Sequence, residues 1–135
     1  MIHELAAFER APGEVAFDRG QVGAHLFGPS PAVHALMATT EEKEKAVAGM
    51  ALWYPTYSTW VGRPGVWLED LFIRPSHRRR GLARELLAVL AERSPGRVEW
   101  AVLDWNADAI AFYDRLGAVT VDGWTRYRWV PTRPE

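Results

Sequence analysis

The chain contains no cysteine, which removes a disulfide framework, a thiolate metal site and a cysteine nucleophile together. It also lacks a charge surplus: 16 basic against 17 acidic side chains leave a formal net charge of -1, which draws in neither nucleic acid nor an anionic membrane. Neither is expected as a partner. No stretch approaches the roughly 20 apolar residues that span a bilayer. The opening "MIHELAAFER" has no basic-then-apolar secretory layout, so a cytoplasmic location is expected. Internal repeats and low-complexity tracts are absent. The four histidines, His3, His25, His34 and His77, show no ligand spacing, so no metal is expected. What remains is 135 residues, 48% of them hydrophobic, enough for one compact domain over 1–135 and too few for two.

Prolines and glycines punctuate periodic segments. "IHELAAFER" sets Ile2, Leu5 and Phe8 or Glu9 at helical spacing and ends at Pro12-Gly13. "DRGQVGAHLFG" reads as a second short helix stopped by Gly28-Pro29. "AVHALMATT" and "AVAGMALWYP" flank the charged turn "EEKEK" as a hairpin, and a loop rich in tyrosine, tryptophan and glycine leads to the strand "GVWLEDLFIRP". Residues 81–93 place Leu82, Leu86, Leu87 and Leu90 on one helix face. "RVEWAVLDW" predicts another strand, Asn106 caps the helix "ADAIAFYDRL", and Gly117 ends it. "AVTVDGWTRYRWV" predicts a closing hairpin around Asp122-Gly123. Together these make a mixed α/β (α+β) sheet flanked by helices.

The run "RPSHRRRGLARELL" follows a strand and opens a helix. Unpaired backbone N–H groups and the helix dipole favour an anion there, Gly81 lets a phosphate approach the backbone, and small Ala83 keeps the first turn open. A solvated basic helix cap would show the same spacing. A dinucleotide or Walker loop fits less well, since neither Gly-x-Gly-x-x-Gly nor Gly-Lys-Ser/Thr occurs.

The spacing Arg78-x-x-Gly81-x-Ala83 resembles the acyl-coenzyme A loop of the GNAT N-acetyltransferase superfamily. With "WVGRPGVWLEDLFIRPSHRRRGLARELL", "WAVLDWNADAIAFYDRLGA" and "DGWTRYRW" in order, nearly the whole chain resembles the diamine (spermidine/spermine) N-acetyltransferases and their thialysine-acetylating relatives, and "LDWN" looks more like the latter. The resemblance implies a GNAT fold with a mixed, mostly antiparallel sheet. The usual first edge strand is expected to be missing, since the sequence starts inside the helix that this strand normally precedes, either as a real truncation or as a start downstream of the true one. The resemblance also implies acetyl-CoA as co-substrate, held by Phe72, Ile73, Arg78, Arg79, Arg80, Gly81, Leu82, Ala83, Arg84, Asn106 and Tyr113. Relatives of this kind form homodimers, and Trp124, Tyr127 and Trp129 suit either an interface or ordinary sheet core.

Acetyl transfer needs a neutral amine, and a lysine-like amine of pKa about 10.4 is only roughly 0.04% neutral at pH 7. Glu69 and Asp70 are the candidate bases; adjacent in a strand, they should face opposite sides of the sheet. Burial would raise a carboxylate pKa toward working range. The resemblance implies that Glu69 lies near the amine and acts through water; a purely structural acid is the alternative. It likewise implies that Tyr113 protonates the departing thiolate, where the residue alone would read as helix packing. Glu9 and Trp60, with Glu69 and Asp70, are the implied acceptor-site residues, an aromatic face and carboxylates suiting an ammonium-bearing chain. The reaction implied is direct attack by a small primary amine in a ternary complex. A protein-lysine acetyltransferase and a non-catalytic acetyl-CoA binding module remain the alternatives.

Overall fold

A computed structural model describes residues 1–42 and 44–132. Its contacts gather into two compact units, Met1–Ala101 and Val102–Glu135.

In the first unit, helix α1 (Ile2–Phe8) is followed by a 3-10 turn (Pro12–Glu14) and helix α2 (Arg19–Phe27). Asp18 caps α2, accepting from the Gln21 amide at 2.9 Å, which supplies the oxygen that a helix start otherwise lacks. Strands β1 (His34–Thr39), β2 (Val47–Ser58), β3 (Arg63–Ile73) and β4 (Val98–Trp100) form one sheet in that order. β1, β2 and β3 pair antiparallel and β4 runs parallel to β3. Among the described residues no strand precedes α1. The hairpin expected around "EEKEK" is present; Lys43 within its turn lies outside the described residues.

Each sheet face has its own cover. Met50, Leu52 and Phe72 pack with Leu5 of α1, joined by Leu26 of α2. Ala51, Val66 and Leu68 point the other way, where α3 (Leu82–Arg93) lies against β1, β2 and β3 with Leu86, Leu87 and Leu90 buried. The leucine stripe is therefore the buried face of α3, with Leu82 at its half-buried edge.

Four local expectations need correction. The aromatic loop is only a turn over 59–62, because β2 continues through Tyr57 and Ser58 and pairs with β3 from Arg63 onward. The fourth strand is three residues, not nine: its last pair is Leu68 with Trp100, and the next residue of β3 begins a bulge that takes the strand out of register. That bulge is the third difference. Leu52 lies opposite Asp70 but Trp53 lies opposite Leu68, so Glu69 is an extra residue on β3 and the alternation of faces fails there.

The second unit holds α4 (Ala107–Arg115), capped by Asn106, whose Oδ1 accepts from the Ala109 amide at 3.3 Å. Gly117 ends it at φ +86, a conformation that favours glycine. The expected closing hairpin is the fourth difference: Gly123 takes a positive φ, yet 118–132 contain no strand. Its alternating apolar residues suit a pleated strand, but among the described residues of this unit no other strand offers a ladder to pair with, and a lone hairpin is marginal in water. Val119, Trp124, Tyr127 and Trp129 are all exposed.

Candidate functional site

The site is built around the last third of β3 and the loop that follows it. Arg74, at the end of the strand, anchors this region. Its Nε and Nη2 donate to the two Glu4 carboxylate oxygens at 3.0 and 3.1 Å, and its Nη1 donates to the Val47 carbonyl at 2.8 Å. That pairing, with the terminal ammonium as a second partner, holds the Glu4 carboxyl at about 2.

Beyond a 3-10 turn (Pro75–His77), Arg79 at φ +64 and Gly81 at φ +82 both adopt the left-handed region. Alternating hand along a short run turns successive amides toward one side, a concavity suited to an anion. Gly81 is the N-cap of α3 and no side chain caps the helix, so the amides of its first turn have no intrahelical acceptor. Arg79, Arg80 and Arg84 are exposed, whereas Arg78 is half-buried and turned toward the protein. Its Nε donates to the Ile73 carbonyl at 2.8 Å, and its guanidinium lies 4.9 Å from the Phe8 ring centroid and 5.7 Å from that of Phe72. Phe72 and Ile73 are core residues.

The bulge decides the electrostatics. By register Trp67, Asp70 and Phe72 share the face that α1 covers, and the displaced Glu69 accepts from Trp67 Nε1 at 2.9 Å. The two carboxylates are thereby coupled instead of separated by the sheet. Burial, then the charges of Glu69 and Glu9, push Asp70 up to about 6. Glu9 closes α1; although the residue is exposed, desolvation of its carboxylate raises its pKa. Arg10 follows at φ +62, and the Ala11 amide reaches back to the Ala6 carbonyl at 2.9 Å. This closes the helix with a non-glycine residue in the left-handed region, at a cost of about 1 kcal/mol.

Glu69 and Glu9 are thus brought within electrostatic reach of Asp70, shortly before the loop of Arg78 to Arg84. Trp60 is not: it sits in the β2–β3 turn, 83% exposed, and Asp70 lies roughly 20 Å along the hairpin at about 3.3 Å per residue. Asn106 and Tyr113 belong to the second unit. Tyr113 is half-buried, its ring 5.3 Å from that of Phe112, and burial pushes its hydroxyl up to about 12. Sequence reasoning missed Trp67 and Phe8. Trp67 stands two residues before Glu69, a spacing that could have flagged it; nothing in the sequence pairs Phe8 with Arg78. Among the described residues no group of three or more potential metal ligands occurs, and no helix is long and apolar enough to cross a membrane.

Comparison with known proteins assigns residues 3–118 to the model described as "Acetyltransferase (GNAT) family". The chain is 45% identical to a thialysine N-epsilon-acetyltransferase of Caenorhabditis elegans, covering 95% of this chain and 81% of that protein. It is 35% identical to the thialysine N-epsilon-acetyltransferase of Mus musculus, covering 96% and 82%. Among solved structures it resembles an integron cassette protein from the mobile metagenome of V. cholerae, with a TM-score of 0.75 at 21% identity over 95% of this chain and 81% of that one.

Proposed function

The chain belongs to the GNAT acetyltransferase family, and on that premise we propose that it acetylates a small primary amine of the thialysine or diamine type. It is an acetyl-CoA-dependent N-acetyltransferase. The observation that carries the acceptor class is Asp70, pushed up to about 6 and set with Glu69 and Glu9 just before the loop. Three carboxylates attract an ammonium-bearing chain, and the one titrating near neutrality can take its proton. Glu69, the more exposed of the bulge pair, is the carboxylate that meets the amine and its water, while Asp70 is the group tuned to accept the proton.

The loop amides of 79–84 and the arginines around them hold the coenzyme phosphates, with Phe72 and Ile73 beside them and Asn106 contacting the pantetheine arm. Acetyl-CoA supplies the activated acetyl group: the neutral amine attacks its carbonyl directly, the C–S bond breaks, and the proton the nitrogen sheds on becoming an amide ends on the CoA sulfur. Tyr113 donates to the departing thiol. A hydroxyl at about 12 stays protonated at neutral pH, but a thiol near 8.5 is the stronger acid, so Tyr113 acts mainly as a hydrogen-bond donor to the developing thiolate. Tyr113→Phe keeps the ring and deletes the donor, and kcat is expected to fall about 100-fold by stopped-flow thiol release. Turnover within threefold of the parent enzyme would remove Tyr113 from the chemistry.

We read residues 1–135 as one domain. A homodimer is proposed from the exposed aromatic tail, where Trp124, Tyr127 and Trp129 are the kind of side chains enriched at interface cores. The deciding experiment incubates the protein with acetyl-CoA and thialysine, a short diamine, spermidine and a lysine peptide. Thiol release and acceptor mass are followed together. Acetylated thialysine or diamine supports the reading; a modified peptide alone makes it a protein acetyltransferase. Coenzyme binding without thiol release makes it a binding module.

A further inference from the structure

The position of Arg78 in the loop suggests a phosphate ligand, yet its side chain is occupied elsewhere. The Nε is committed to the Ile73 carbonyl, and the guanidinium plane is spent on two aromatic rings, one from the sheet core and one from α1. Phe72 lies two residues beyond Asp70 on the same face and packs with Leu5 of α1. Phe8 is the last residue of α1, and the next residue is Glu9, whose charge acts on Asp70. Arg78 therefore touches the strand that carries Asp70 and the helix end that carries Glu9, while its own extended backbone directly precedes the left-handed Arg79 of the loop.

A second arginine defines where movement can occur. Arg74 clamps the first turn of α1 to the strand end through Glu4 and to β2 through the Val47 carbonyl. The far end of α1 has Phe8 against the Arg78 guanidinium, 4.9 Å from the ring centroid, and Phe8 is 41% exposed. Adjustment of α1 relative to the loop would therefore be expressed at Phe8 and Glu9.

We propose that Arg78 is a positioning residue coupling the phosphate loop to helix α1, so that filling the coenzyme site tightens the amine site. The inference rests on the functional reading above. Phosphates drawn onto the amides of Arg79 to Arg84 hold the loop in its left-handed geometry, which fixes Arg78 and, through Phe8, the placement of Glu9. Linkage makes the effect reciprocal: the amine must tighten coenzyme binding by the same factor. A lysine at this position keeps the charge but loses both the planar stacking surface and the Nε donor.

The test is isothermal titration with CoA, which carries no acetyl group to transfer, and thialysine, each titrated alone and in the presence of the other. If the acceptor panel identifies a different amine, that amine replaces thialysine. The parent protein is expected to bind the amine about tenfold more tightly when saturated with CoA. In both Arg78→Lys and Phe8→Leu that ratio should drop below about twofold, and kcat/KM for the amine should fall further than the KM for acetyl-CoA rises. A role limited to folding would weaken individual affinities and leave the ratio intact, so a preserved ratio in either variant overturns the proposal. A ratio of one in the parent protein also overturns it. Failure of the parent protein to bind CoA at all would instead remove the functional reading, and this inference with it.

Discussion

Replacing Gly81 with valine is expected to weaken acetyl-CoA binding by about 30-fold, against less than about threefold for Arg79→Ala. The argument is one of backbone conformation. At Gly81 the φ is +82, and a β-carbon built there would meet only Glu85 Oε1 at 4.0 Å, so space does not oppose the substitution. A β-branched residue nevertheless pays for a left-handed φ, about 1–3 kcal/mol in such positions, and it relieves that strain by rotating the loop amides away from the phosphates. About 2 kcal/mol corresponds to the stated 30-fold. Arg79 already sits at φ +64 with an exposed side chain, so alanine changes charge and leaves the path of the chain alone. Arg79→Gly should stabilise the fold slightly, by roughly 0.5 kcal/mol, if relief of the left-handed strain outweighs added freedom in the unfolded chain. Titration calorimetry at two salt concentrations checks the order. If Arg79→Ala is the more damaging change and its effect vanishes at high salt, side-chain charge holds the anion and the helix end does not.

Asp70→Asn should separate activity from stability. We expect kcat/KM for the amine to fall by about 100- to 1000-fold, with the loss of a limb that rises through about pH 6 in the parent enzyme. Stability should move the other way. The folded pKa of Asp70 is raised from 3.8 to about 6, so the proton is bound more tightly in the folded chain. The resulting stabilisation is complete below about pH 4 and is lost as pH rises through about 6, where the folded protein must accept the charge beside Glu69 and Glu9. Asparagine removes that charge. Because Asp70 is only half-buried, the gain above pH 7 is set at about 1–2 kcal/mol, less than the full shift would give. Thermal melts at pH 5 and pH 8 should show a variant several degrees more stable than the parent at pH 8, with the difference narrowing toward pH 5. A variant no more stable at pH 8 would mean that burial and charge do not oppose ionisation of Asp70. An unchanged pH profile would move the base role to another group. A residue that destabilises the fold where it works is the usual signature of a site shaped for chemistry.

These two experiments rest on features that were legible to different degrees. The helix α3 and its glycine could be read directly, because a 3.6-residue leucine stripe, a preceding proline and a glycine at the cap are local signals with local causes. The same holds for Asn106 and Gly117 at the two ends of α4. The motif spacing around Arg78 was legible as well, and so was the hairpin of β1 and β2. What the amino-acid order determined by itself in these segments was the kind of element and its caps.

Tertiary pairing decided the rest. Strand alternation placed Glu69 and Asp70 on opposite faces, but an extra residue in β3 is visible only against its partner strand, and that bulge is what couples the two carboxylates. The side chain of Arg78 found Phe8, seventy residues earlier, because α1 and the end of β3 cover the same stretch of sheet. The tail 118–132 carries a strand-like pattern and forms no strand, since a pattern supplies a face while a ladder requires a neighbour. Short-range sterics and periodicity act within a few residues and so are written in the sequence. Register, electrostatic coupling and the direction of a long side chain depend on which distant segments meet, and only the folded chain settles them.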